Sequence, residues 1–196
     1  MTLSQAAAES GRHSPQATAE RAVEALVVAV ADPVQGRAHH YGLLVSQVHS
    51  IVRLGEGEIG SRARKTGEGG WEMVYEGAWI PLLHLRQCLG ITDRRTGSNA
   101  ERMFANRGSV RILVVRSGDA PASPAPAGGA GVLYAGLVVD EVHEIMSCPL
   151  AQLLPFPRWV VRDLPAATVW AALPRDDSSL LLLLDGVALA AQHYQR

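Results

Sequence analysis

The sequence predicts a mainly β protein made of two small β-barrels packed together, and three observations carry that prediction. The first is an internal repeat: Tyr41 to Ile51, YGLLVSQVHSI, returns as Ala135 to Ile145, AGLVVDEVHEI. Gly42 meets Gly136, Leu43 meets Leu137, Val45 meets Val139, Val48 meets Val142, His49 meets His143 and Ile51 meets Ile145, always 94 positions apart. Each copy reads as a short apolar strand, a polar pair that bends the chain (Ser46-Gln47 or Asp140-Glu141) and a second strand. One such unit cannot bury its own apolar face, so two copies imply two modules packed on each other, with Val48 and Val142 buried at equivalent places. The second observation is that strand candidates outnumber helical ones, with about five in each half. The third is that neighbouring candidates are short and lack the alternating helices of βαβ units, which is the pattern of small barrels.

Taken in order, residues 1–20 are rich in Ala, Ser, Gln and Glu without a core pattern and read as a mobile arm before a domain spanning 21–190. Ala22 to Ala31, AVEALVVAVA, has the β-branched content of a strand, although its alanines would also suit a helix. Asp32-Pro33 ends it, and Gln35-Gly36-Arg37 supplies a turn. The first repeat copy then runs on to Val52. Gly55 to Gly70 is glycine-rich, of mixed charge and almost without apolar residues, which predicts a long, exposed, flexible loop. Trp71 to Glu76 and Ala78 to Leu83 read as two strands joined at Gly77. Pro81 has no N–H to donate, which places the second of them at a sheet edge or a bulge. His84 to Leu89 predicts a short helix ended by Gly90, and 91–109 a polar connection. Val110 to Val115 is a strand, followed at 117–131 by SGDAPASPAPAGGAG, a flexible insertion too rich in Pro, Ala and Gly to pack. After the second copy, residues 149–159 contain three prolines and read as irregular. Thr168 to Leu173 and Leu180 to Leu184 form a hairpin around Asp176-Asp177-Ser178, and Val187 to His193 ends the pattern as a short helix.

Composition narrows the function. A chain of 196 residues buries enough surface to fold without metals or disulfides, and Cys88 and Cys148 are too few and too far apart for a disulfide framework. The net charge of −1 offers no basic field for nucleic acid, and Glu56, Glu58 and Glu68 offset the cluster of Arg62, Arg64 and Lys65. Residues 1–20 hold no signal-peptide core, and the longest apolar run, Leu180 to Leu184, is far below the ~20 residues of a spanning helix. The expectation is a soluble cytoplasmic protein with no cofactor, no nucleic acid and no membrane insertion.

Catalytic constellations are thin. His39 and His40 are adjacent, so a strand would send them to opposite faces, away from a shared metal. No Gly-x-Ser-x-Gly elbow, HExxH, P-loop or dinucleotide fingerprint is present. Cys88 has no partner motif and reads as core, and Asp140, Glu141 and Glu144 read as a solvated bend. Against an adaptor stand two alternatives: an enzyme with a metal or thiol site drawn from His39, His40, His49, His84 or Cys88, and a small β-barrel that binds a small ligand or an oligonucleotide.

Across roughly residues 22 to 190 the order YGLLVSQVHSIVR, GAWIPLLHLRQCLG, RILVV, AGLVVDEVHEIM and SLLLLLDGVAL resembles the CheW-like coupling proteins of bacterial chemotaxis. The resemblance implies two five-stranded SH3-like barrels around a shared core and no active site. It further implies a non-catalytic adaptor, with the regulatory domain of a CheA-type histidine kinase and the cytoplasmic tip of a methyl-accepting chemoreceptor as partners. It places partner contacts on Val48, Ser50 and Val52, on Tyr75, Glu76 and Gly77, and on Val139 and Glu141. The chain departs from that family at three points. Ser50 stands where a glutamate is usual, Glu76 in Val74-Tyr75-Glu76-Gly77 replaces the arginine of Asn-Leu-Arg-Gly, and His84 replaces an aspartate. Both members of the family's charge pair are absent together, so no unpaired partner is left behind, while the surface changes sign at residue 76.

Overall fold

The computed structural model describes residues 21–32, 35–67, 69–91, 109–117, 133–155 and 168–194. Its strands are β1 (Ala22–Asp32), β2 (Arg37–Leu44), β3 (Val48–Gly55), β4 (Ala63–Lys65), β5 (Trp71–Tyr75) and β6 (Ala78–His84), then β7 (Ser109–Ser117), β8 (Leu133–Val139), β9 (Glu141–Pro149), β10 (Leu154–Pro155), β11 (Val169–Pro174) and β12 (Leu180–Leu184). Three short helices accompany them: α1 (Glu56–Arg62), α2 (Leu85–Cys88) and α3 (Gly186–Tyr194).

The strands form two sheets with the same plan. One runs β3-β7-β8-β6-β5-β4, and the other, read from its equivalent edge, β9-β1-β2-β12-β11-β10. In each, the third and fourth strands pair in parallel (β8 with β6, β2 with β12) and every other neighbour is antiparallel. Each sheet thus has six strands where five were expected, the sixth being a short edge piece, β4 or β10. The repeat that foretold two modules turns out to link them. Its first copy leaves one sheet at Leu44 and enters the other at Val48, and its second copy makes the reverse crossing at Asp140.

Burial follows from this plan. Leu26, Val28 and Val30 of β1 meet Leu113 and Val115 of β7 and Leu137 and Val139 of β8 in a core shared by the two sheets. The alternate residues Ala25 and Val27 face a second core with Leu181 and Leu183, and Leu54, Met73, Ile112 and Val114 form the corresponding core of the other sheet. β1 is therefore covered on both faces, which explains its unbroken apolar run and decides strand over helix. Gly42 and Gly136 sit at equivalent points in the parallel pairs, opposite Leu183 and Leu82. A Cβ at either would lie 2.5 Å from that leucine's Cδ2, so neither place has room for one.

One loop was misjudged. Most of 55–70 is ordered as α1 and β4. Glu58 accepts a hydrogen bond from the Gly55 N–H at 2.9 Å and reaches Arg62 one turn on at 3.3 Å, while half-buried Ile59 and buried Ala63 anchor the segment to the core. Capping and two small apolar contacts thus offset the low helix propensity of its glycines. Pro81 also lies in an interior strand, β6, but β8 pairs only from Leu82 onward, so the missing N–H falls just outside the parallel ladder. The Asp176-Asp177-Ser178 turn and the helix after it are as expected: Arg175 N–H donates to Ser179 O at 2.9 Å, and Asp185 caps α3. The arm at 1–20 and the insertion at 118–131 lie outside the described residues, as do 92–108 and 156–167.

Candidate partner-binding surface

Edge strand β3 carries the first group of candidate residues, and a bulge at its start decides where they point. Val48 pairs with Val115 but Ser50 pairs with Val114, leaving His49 as an extra residue. Val48 consequently packs half-buried on the shared core, whereas Val52 and Leu54 turn to the sheet's own core. The second copy repeats the device on β9, where pairing shifts between Val28–Val142 and Leu26–Ile145. Val142 joins the shared core, and Met146 and Cys148 the separate one. Burial raises the pKa of the Cys148 thiol, as suits an inert core cysteine.

Beyond the bulges, Ile51 and Ile145 pair with Leu113 and Leu26 of the shared core, yet are 52% and 59% exposed. Sitting at the outer edges of the sheets, they extend past what the opposite sheet covers. Two large apolar side chains thus stand uncovered at equivalent edges of the two sheets.

The bulged His49 gathers the second group. Its Nε2 is 3.6 Å from Glu76 Oε1, and its ring lies 6.1 Å from that of Tyr75 and 5.0 Å from that of Tyr134. Glu76 and Gly77 form the two-residue β5–β6 turn with φ of +49° and +80°, so the turn holds the Glu76 side chain out in solvent. Tyr75 and Glu76 are therefore brought beside His49, between Val48 and Ser50 on β3, whereas Val48 and Val52 turn to the two different cores. His49 was absent from the expected partner contacts, although its equivalence to His143 in the repeat singled it out. This surface thus carries an exposed contact between His49 and the Glu76 carboxylate.

The remaining candidates separate. Val139 is 1% exposed and packs in the shared core, so it offers no surface to a partner; its place at the end of an apolar strand, just before the crossing, fixes it inward. Glu141 is exposed, but on β9 of the other sheet, where it lies 3.6 Å from His143. His143 in turn contacts His40 at 5.1 Å, while His39 turns to Asp32 at 3.4 Å; the two adjacent histidines diverge as a strand requires. Among the described residues, no three His, Cys, Asp or Glu side chains are grouped to hold a metal ion. His84 is buried, and its Nδ1 accepts from the Arg86 N–H at 3.3 Å at the start of α2. That is the capping role a short aspartate performs, so the departure at residue 84 is explained locally.

Polar ties fix both crossings. Gln47 donates to Asp185 at 3.0 Å and accepts from the Gly186 N–H at 2.8 Å. Asp140 accepts from the Ala31 N–H at 2.8 Å and from Arg86 at 3.1 Å, and its carbonyl accepts from Arg111 at 2.9 Å. With side chains only 16% and 10% exposed, Arg86 and Asp140 form the most enclosed ion pair among the described residues.

Two sheets of one plan around a shared core, with bulged edge strands presenting apolar and charged groups, define a β scaffold module. The model of the CheW-like domain family matches residues 39–193, and the chain belongs to that family. The crystal structure of the scaffolding protein TtCheW from Thermoanaerobacter tengcongensis is similar in fold, with a TM-score of 0.57 and 22% identity over 86% of this chain and 92% of that one. No curated protein matches the sequence. No described helix is long and apolar enough to cross a membrane.

Proposed function

We propose that this chain is a coupling adaptor that joins the cytoplasmic tip of a chemoreceptor to the regulatory domain of a CheA-type histidine kinase, in the cytoplasm at receptor arrays. Family membership over most of the chain supports the scaffold role. The observation that carries the finer reading is the exposed His49–Glu76 pair at the point where the family keeps an arginine. A kinase or receptor shaped for an arginine there meets a carboxylate, and a like-charge contact excludes the wrong partner. The protein is on this reading a divergent coupler, dedicated to its own partners and unable to replace a standard one.

Titration calorimetry tests both levels. The wild-type chain should bind its cognate kinase regulatory domain and receptor tip, and the tip should be retained on the immobilised kinase domain only when the chain is present. Glu76→Arg should weaken the cognate kinase domain or receptor tip by about 2- to 5-fold, the scale of one exposed charge contact, and improve binding to a standard one. Absence of the three-way complex would overturn the coupling role. Unchanged affinities in the variant would remove Glu76 from partner choice.

A further inference from the structure

Because the two lobes share one plan, the mouth of one is a template for the other. The registers through Gly42–Leu183 and Gly136–Leu82 match Val27 with Val114, His40 with Tyr134, His143 with His49, Glu144 with Ser50 and Arg175 with Tyr75. In the sheet that begins at β3, the mouth is filled from within. The Tyr75 and Tyr134 rings lie 5.5 Å apart, His49 lies over Tyr134 at 5.0 Å, and Val114 beneath is fully buried. In the other lobe both tyrosines are replaced, and the same mouth is an open cleft of ≈ 430 Å³ lined by buried Val27, half-buried Arg175 and exposed His40, His143 and Glu144. His40 and His143 reproduce the ring contact of Tyr134 and His49, at 5.1 Å against 5.0 Å. What this mouth lacks is the ring that Tyr75 supplies. The cation Arg175 stands at its position instead, with the Glu144 carboxylate where the first lobe has Ser50, and among the described residues no ion pair joins Arg175 to Glu144.

We propose that this second mouth is a binding site for a free aromatic α-amino acid. The ligand ring takes the place that Tyr75 fills in the first lobe, edge-on to the imidazoles of His40 and His143 and above the apolar floor of Val27. Its carboxylate meets the planar guanidinium of Arg175, which suits two parallel hydrogen bonds, and its ammonium meets Glu144. The cleft is open on one side and polar at its rim, so it suits a small zwitterion whose ring alone is covered. Each lining group thus has a counterpart on one ligand class, and the site does not depend on the coupling role.

The test is an NMR titration of the full chain with L-phenylalanine, following the imidazole signals of His40 and His143. Three controls each omit one feature: L-alanine lacks the ring, phenethylamine the carboxylate and phenylacetate the ammonium. Phenylalanine should saturate both histidine signals, with each control at least about tenfold weaker. The double variant His40→Tyr/Arg175→Tyr refills the mouth on the pattern of the first lobe and should lose the ligand. Arg175→Gln should weaken phenylalanine while leaving phenethylamine unchanged, and it keeps the test decisive if the double variant does not fold. No ligand-dependent shift at about 10 mM phenylalanine, well above the millimolar dissociation constant of even a weak site, would overturn the proposal. So would controls that bind as well as phenylalanine, or a refilled variant that still binds it.

Discussion

Alanine at Gly136 should destabilise the fold more than alanine at Gly42, because the two new methyl groups meet different neighbours. At Gly136 the Cβ would lie 2.5 Å from Leu82 Cδ2 and 2.7 Å from Ile112 Cγ2; at Gly42 it would lie 2.5 Å from Leu183 Cδ2, with Ala25 Cβ next at 3.3 Å. Carbon atoms rest about 3.5 to 4.0 Å apart, so Gly136→Ala must displace two groups by roughly 1 Å and Gly42→Ala essentially one. The ends of Leu82 and Leu183 can swing. Ile112 cannot easily do so: it is β-branched, stiff at χ1 and fully buried. Overpacking of this kind costs about 1 to 3 kcal/mol, and the loss of glycine's freedom in the unfolded chain returns about 0.4 to 1 kcal/mol. The net expectation is about 1 to 2.5 kcal/mol for Gly136→Ala, where two groups must move, and about 0.5 to 1.5 kcal/mol for Gly42→Ala. For a chain of this size that corresponds to falls in Tm of roughly 3 to 10 °C and 1 to 5 °C. Urea and thermal melts of the two variants decide it. If Gly136→Ala melts with the wild type, or Gly42→Ala is the worse, the packing read around the two glycines is wrong.

Asp140→Ala should cost about 3 to 5 kcal/mol in urea unfolding, since it strips an enclosed Arg86 of its carboxylate and the Ala31 N–H of its acceptor; Arg86→Met should cost less, and equal losses would count against the pair. Glu76→Asn should raise stability by about 0.5 kcal/mol despite the lost His49 contact, because asparagine accepts the positive φ that a glutamate resists, and a lower melting point would contradict this. The Glu58 carboxyl is held below its ordinary pKa of 4.5, chiefly by the Gly55 N–H and then by Arg62. A depressed folded pKa means its contribution is present above the unfolded value and lost as pH falls through the folded one. Exchange of the Gly55 amide should therefore quicken relative to β1 amides as the pH falls below the ordinary glutamate range, and Glu58→Gln should remove that dependence.

Local sequence determined most of the strands and the turns that end them. The Asp176-Asp177-Ser178 hairpin and the helix after Asp185 follow from residues adjacent in the chain, whereas β1 became a strand over a helix only through cover on both faces. The repeat of Gly42 in Gly136 likewise announced two equivalent halves, since a register that excludes a Cβ restricts the residue wherever it recurs. Tertiary structure decided which sheet each strand joins. A strand that crosses between sheets looks like one that turns back, and only pairing with β7 and β1, remote in sequence, distinguishes them. The bulges that turn Val48 and Val142 to the shared core, and the buried place of Val139, follow from that pairing. So do the meeting of His49 with Glu76 and the match of Arg175 to Tyr75. Connections of unequal length shift that last pair out of the constant offset of the repeat, so they became equivalent only when both hairpins closed on their parallel partners.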